Sequence, residues 1–279
     1  METRLEYCCD KSSKTPRDCR SGSFTNTSRS SICQECPERY YCIPNNVTAG
    51  DPQSGYHACP RGYYCPPGTG LDWKSCPKGS YSNSTGLSVE SECEPCDGGF
   101  YCDKLNATKP TAHCHGGYYC ESGVDRPDPI HSGNATNFSN NCSIYGYHTG
   151  FGGICPVGYY CPHGSVTPVG CPDGSYQDQP GKTYCKSCPA GYYCQNNASS
   201  YVSNECPVGH YCLLNTTQSK QFPCPPGTFN PKTAQTNRSA CINCTPGMYC
   251  EGTGNEYPTD KCSAGWYCSG GATVFQPPG

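Results

Sequence analysis

The chain has 279 residues, a formal net charge of −3 and 29 cysteines. Leu, Ile, Val and Phe together number 28, too few to fill one large core, and without cross-links such a composition would mean disorder. No run of Lys and Arg suggests nucleic acid or anionic lipid, and no apolar run reaches the roughly 18 residues of a membrane span. Cysteine at this density marks a disulfide scaffold in an oxidising compartment.

Residues 1–32 read as a partial cysteine-rich unit. METRLEYCCD carries no apolar leader, Cys8 and Cys9 are expected to pair with a unit upstream, and CRSGSF at 19–24 opens a turn. Residues 33–92 form a complete unit, with Cys33, Cys36, Cys42, Cys59, Cys65 and Cys76 in a six-beat register that holds CPERYYC, CPRGYYC and CPKGSY. Residues 93–184 restart that register at Cys93, Cys96, Cys102, Cys114 and Cys120 (CDGGFYC, CHGGYYC) and break it with an insertion at 121–154. They resume with CPVGYYC and CPDGSY. Residues 185–240 are a third unit (CPAGYYC, CPVGHYC, CPPGTF), and 241–279 a partial fourth (CTPGMYC, CSAGWYC). The period is 60 residues from Cys33 to Cys93 and 56 from Cys185 to Cys241, which is that of a repeat array. Cut units at both ends read as a piece of a longer secreted protein.

Pro after Cys presets φ for the second position of a β-turn, and Gly two residues later suits its end. CPERYYC lacks the Gly and CDGGFYC the Pro, so their turns are the least favoured. Tyr41, Tyr64, Tyr101, Tyr119, Tyr160, Tyr193, Tyr211, Tyr249 and Tyr267 directly precede the last Cys of the seven-residue phrase. A flat side chain there is expected to lid the adjacent sulfurs and supply buried area. No 3.6-residue periodicity appears. The fold class is therefore tandem disulfide-rich modules of β-hairpins and turns, with little or no helix, elongated as a rod without a large core.

The alternation of C-P-x-G-[ST]-[YF]…C-x2-C with C-P-x-G-Y-Y-C resembles the ephrin-receptor-like cysteine-rich repeats of large extracellular proteins. It is similar, more distantly, to the cysteine-rich modules of tumour-necrosis-factor receptors. The resemblance implies simple loops at Cys19–Cys33, Cys76–Cys93, Cys171–Cys185 and Cys224–Cys241. It also implies crossed pairs: Cys36–Cys59 with Cys42–Cys65, Cys96–Cys114 with Cys102–Cys120, Cys188–Cys206 with Cys194–Cys212, and Cys244–Cys262 with Cys250–Cys268. Spacing alone could not choose this, since six cysteines allow about 15 connectivities. Cys8, Cys9, Cys142, Cys155 and Cys161 are left over, and the odd cysteine implies an intermolecular bond or a free thiol, the alternative for Cys142 being a bond to Cys155 or Cys161.

The chemistry-bearing candidates resolve mostly into structure. CQEC, CEPC, CKSC and CINC lack the helix start and βαβ setting of a redox motif, and zinc would want a reducing setting. The seven His do not recur with the repeat and read as solvated. No calcium loop, phosphate loop or catalytic triad can be nominated, so no enzyme and no metal are expected. Asn-x-Ser/Thr sequons occur at Asn26, Asn46, Asn83, Asn106, Asn134, Asn137, Asn141, Asn197, Asn215, Asn237 and Asn243, against about three expected by chance. N-linked glycans are the only non-protein groups expected. The insertion gathers Cys142, Tyr145, Tyr147 and His148 as an interface candidate. The functional expectation is a non-enzymatic, secreted or cell-surface structural glycoprotein segment that assembles with other protein chains into a matrix, coat or filament. The alternative is a ligand-binding or adhesive receptor ectodomain.

Overall fold

The structure, a computed structural model, describes residues 7–8, 17–25, 32–43, 56–129 and 151–277. Almost every element in it is a two-residue strand in an antiparallel pair. Single 3-10 turns lie at Glu90–Glu92 and Arg238–Ala240, and no α-helix occurs among the described residues.

The Cys59 module shows how the sequence makes this unit. Pro60 and Arg61 lead into Gly62 at φ +80, and the Tyr63 N–H donates back to the Pro60 carbonyl at 3.2 Å. This is the turn that Pro and Gly favour. Tyr63–Tyr64 then pairs antiparallel with Lys74–Ser75, Tyr63 opposite Ser75 and Tyr64 opposite Lys74. The Cys76 N–H closes the hairpin on the Gly62 carbonyl at 2.9 Å. Ser80–Tyr81 with Glu94–Pro95, Tyr159–Tyr160 with Val169–Gly170, and Met248–Tyr249 with Asp260–Lys261 repeat the arrangement. CDGGFYC needs no proline for it, because the Phe100 N–H still reaches the Asp97 carbonyl at 3.0 Å.

Cross-links follow from the turn. Cys19–Cys33, Cys76–Cys93, Cys171–Cys185 and Cys224–Cys241 close loops with separations of 14 or 17 residues, the same four pairs that the resemblance implies as loops. The crossed pairs are corrected. Cys36 bonds Cys42, Cys59 bonds Cys65, Cys96 bonds Cys102 and Cys114 bonds Cys120. Likewise Cys188 bonds Cys194, Cys206 bonds Cys212, Cys244 bonds Cys250 and Cys262 bonds Cys268. The turn reverses the chain within six residues and sets the Cys36 and Cys42 Cα atoms 5.8 Å apart, inside the range a disulfide needs. Cys155 and Cys161 make one more such pair, so Cys142 is bonded to neither. Cys9 and Cys142 themselves lie outside the described residues.

The chain divides into two compact units, one of residues 1–115, 119–153 and 164–167, the other of 116–118, 154–163 and 168–279. In the first, Tyr64 packs with buried Leu87 against Cys76 and Cys93, and Tyr101 packs with Val124 against Cys114 and Cys120. In the second, Tyr176, Tyr192, Tyr201 and Ala198 surround Cys188 and Cys194, while Phe229 and Met248 pack against Cys244 and Cys250. Tyr64, Tyr101, Tyr176 and Phe229 thus pack on the disulfide of the following module, while Tyr192 packs on that of its own phrase, and Tyr193, expected as the lid there, is not among the side chains in that cluster. Aromatics and sulfur together supply the buried area that Leu and Ile do not.

In each module with a long loop, the place six residues after the first Cys is held by a polar side chain instead of a half-cystine. These are Thr25, Ser82, Gln177 and Asn230, exposed by 2%, 2%, 0% and 1%. Each of the last three is paired with backbone groups. The Asn230 amide donates to the His210 and Lys232 carbonyls at 2.9 and 3.0 Å, and the Gln177 amide donates to the Tyr184 carbonyl at 2.7 Å. The Ser82 hydroxyl bonds the Ser84 backbone at both its N–H and its carbonyl. A buried polar group must be paired in this way.

Candidate functional site

A second recurrent element holds the modules, and sequence reading missed it. In the loop between a hairpin's two paired strands, a residue with left-handed or glycine backbone forms a strap that clasps an earlier module. In the first unit Asn106, at φ +52, donates its N–H to the Cys76 carbonyl at 3.0 Å, and the Ala107 carbonyl accepts from the Ser82 N–H at 2.9 Å. Gly68–Thr69 does the same to Cys36 and Cys42, and Gly123–Val124 to Cys96 and Cys102. In the second unit Asn215–Thr216 clasps Cys188 and Cys194, Ala234–Gln235 clasps Cys206 and Cys212, and Gly254–Asn255 clasps Cys224 and Asn230. The backbone of each of these modules is thereby tied at both ends of its turn.

The strap carbonyl also presses on the turn of the module one further back. A Cβ built on Gly62 would lie 2.3 Å from the Asn106 carbonyl oxygen, closer than any side chain can approach. Arg39 replaces the turn glycine in CPERYYC and takes φ +76. The Arg39 guanidinium adds a side-chain tie to the strap, donating to the Gly86 carbonyl at 2.9 Å and pairing with Glu92. Glu92 accepts from the Ser88 N–H at 2.6 Å, and that bond together with Arg39 holds its carboxyl below the usual carboxylate range. A signal for straps existed in the sequence. Gly or Asn stands three or four residues after the last Cys of most phrases, as at Gly68, Asn106, Gly123, Asn197, Asn215 and Gly254. These are the residue types that tolerate positive φ.

The candidate sites fall as follows. Asn83, Asn106, Asn197, Asn215, Asn237 and Asn243 are exposed, while Asn26, Asn46, Asn134, Asn137 and Asn141 lie outside the described residues, as do Cys142, Tyr145, Tyr147 and His148. Each CxxC is split between two bonds: Cys33 joins Cys19 while Cys36 joins Cys42, and Cys185 joins Cys171 while Cys188 joins Cys194. None of these pairs forms an internal dithiol couple. One histidine departs from the solvated expectation. His210 is 9% exposed and its Nδ1 lies 3.0 Å from the Val208 carbonyl, because it fills the aromatic place of CPVGHYC. His113, although exposed, stacks on Phe100 at 4.1 Å.

Aromatic side chains gather most densely in the first unit. Tyr56 meets Phe24 and Tyr40 edge to face at 5.5 and 4.8 Å, and Trp73 lies between Tyr41 and Tyr63 at 4.9 and 5.4 Å. Burial, then the carboxylate of Asp97, pushes the Tyr81 phenol up to about 12. Tyr64 and Tyr119 are raised by burial and by Glu90 and Glu121 respectively. These phenols stay neutral lids rather than reactive groups.

Among the described residues no three His, Cys, Asp or Glu side chains converge as metal ligands, and no helix is long and apolar enough to cross a membrane. An open concavity of about 300 Å³ is formed by the single loop of residues 104–111. What the arrangement offers chemically is a set of repeated backbone clasps, buried sulfur and exposed asparagine amides. Compared with protein-family models and with curated proteins, the chain finds no match.

Proposed function

We infer that this disulfide-stabilised chain belongs to an extracellular or otherwise oxidising compartment. We propose that it is a structural, non-enzymatic, glycosylated segment of an extracellular matrix, cell coat or surface filament, and that its contacts are with other protein chains. One observation carries this reading. Successive modules repeat the same strap, turn and disulfide contacts, each module fastened to its neighbours by the same backbone bonds. Units that contact mainly their neighbours suit extension by addition.

The test is electron microscopy of the native material alongside non-reducing electrophoresis. Filaments or sheets containing the chain support the assignment. Dispersed particles that capture a soluble protein ligand with one-to-one stoichiometry would replace it with the receptor reading.

A further inference from the structure

Three of the straps are asparagines, Asn106, Asn197 and Asn215, at φ +52, +54 and +63, and all three begin sequons: Asn106-Ala-Thr, Asn197-Ala-Ser and Asn215-Thr-Thr. Their backbones face inward. The Asn106 and Asn215 N–H groups bond cysteine carbonyls, and the carbonyls of Ala107, Ala198 and Thr216 accept from Ser82, Gln177 and Cys194. Ala198 and Thr216 are buried at 8% and 1% exposure, whereas the asparagines are exposed. The strap geometry therefore anchors the sequon by its backbone and turns its amide outward. Asparagine is the residue besides glycine that accepts this backbone most readily.

What each amide meets differs among the three. The Asn106 Nδ2 donates to the Tyr63 hydroxyl of an earlier module, and Tyr63 is half-buried, edge to face with Trp73 at 76°. Asn106 also lines the open concavity of about 300 Å³ formed by residues 104–111. The Asn197 Oδ1 occupies the space above Gly170, where a Cβ would come within 2.1 Å of it, and Gly170 is the strand partner of Tyr159. Asn215 lies over Gly174, which is followed by Ser175 in place of an aromatic.

We propose that the three strap asparagines are equivalent N-glycan attachment points, and that the first sugar on Asn106 packs its C–H face on the Tyr63 ring. The glycan then fastens the strap to the module that it crosses. This inference rests on the reading of the chain as a secreted glycoprotein. Attachment forms a bond from Nδ2 to the anomeric carbon of a lipid-pyrophosphate-linked oligosaccharide. It breaks the bond from that carbon to the pyrophosphate oxygen, which departs with the electron pair, and it releases one proton from the amide. The secondary amide keeps one N–H to donate to the Tyr63 hydroxyl. A pyranose held one bond from that nitrogen lies in van der Waals reach of the ring, where many small dispersion contacts add up.

The full chain, expressed in a eukaryotic secretory host and trimmed enzymatically to one N-acetylglucosamine per site, provides the test. Glycopeptide mass spectrometry reads occupancy, and NMR reads the N-acetyl methyl resonances. The expected result is occupancy at all three sites and an upfield ring-current shift at Asn106 that is absent at Asn215. The shift should persist in Tyr63→Phe, which keeps the ring, and vanish in Tyr63→Ala. Bare asparagines throughout would overturn the glycoprotein reading and this inference with it. An occupied Asn106 whose methyl resonance matches that of Asn215, or is unmoved by Tyr63→Ala, would overturn the packing alone and leave the glycoprotein reading standing.

Discussion

Substituting alanine for Gly62 tests the strap directly. A Cβ there would fall 2.3 Å from the Asn106 carbonyl oxygen and 2.8 Å from its carbon. Both are backbone atoms, so the strap must move. The left-handed φ of +80 would itself cost an L-residue about 1–2 kcal/mol. Displacing Asn106 and Ala107 breaks their bonds to Cys76 and Ser82, about 1 kcal/mol each, for a total of about 3–4 kcal/mol. Gly247 is the matched control. It has the same turn position and φ of +85, with nothing within 4 Å of its would-be Cβ, so Gly247→Ala should cost only the backbone share of about 1–2 kcal/mol. Native-state hydrogen exchange with the disulfides intact reads local opening energies. The Asn106 and Ser82 amides should exchange several-hundredfold faster in Gly62→Ala, taking about 1.4 kcal/mol per tenfold. Local opening around Gly247 should rise only about tenfold. Equal effects at the two sites would refute the clasp as a source of stability.

Further outcomes follow from the same geometry. Replacing Cys188 and Cys194 together by alanine opens a loop of separation 6 and should cost about 2 kcal/mol by loop-closure entropy, measured as lost protection confined to that module and its strap. Partial reduction with alkylation and mass mapping should label Cys185 and Cys241, which are half-exposed, before the fully buried Cys194 and Cys212. The Glu92 carboxyl is lowered by the Ser88 N–H and Arg39. Its support is therefore present above the ordinary carboxylate pKa of about 4.3 and is lost as pH falls through the lower folded value. Exchange at Ser88 should accelerate over that acid window, and Glu92→Gln should abolish the dependence. Tyr81, raised to about 12, should be among the last phenols to ionise in an ultraviolet titration. Folding should weaken as pH rises from the ordinary phenol value of about 10 towards that point, and Tyr81→Phe should remove the step.

Much of the fold was legible because its signals are local. Pro60 and Gly62 announce a turn, the Tyr63–Tyr64 pair announces a strand, and the absence of a helical period is matched by the absence of α-helix among the described residues. The long loops at Cys76 and Cys224 were legible from the resemblance. The short bonds were not, although the same Cys-Pro-x-Gly turn that was read correctly also brings Cys59 and Cys65 to 5.7 Å. Turn geometry decides the pairing, and spacing does not. The buried roles of Gln177 and Asn230 were hidden because polar side chains normally mark surfaces. The packing on Cys188 and Cys194 draws on Tyr176 of the module before as well as Tyr192 of their own phrase, which a Tyr directly before the last Cys did not reveal. The strap signal, Gly or Asn three or four residues after the last Cys of most phrases, was faint because Gly, Asn and Ala234 share only a backbone conformation.

The order in which these contacts become available has a consequence for biosynthesis. A bond between cysteines six residues apart, as in Cys188–Cys194, can form as soon as that short stretch enters an oxidising lumen, whereas a crossed pairing would have to wait for the next module and choose among rivals. The strap that secures it, Asn215–Thr216, arrives about one module later. Oxidation and docking can therefore proceed module by module from the N-terminus, each module provisionally closed and then fastened by its successor. Low sequence separation between partners makes such folding fast. It leaves few cysteines waiting unpaired at any moment, so a chain with 29 of them can mature without extensive reshuffling.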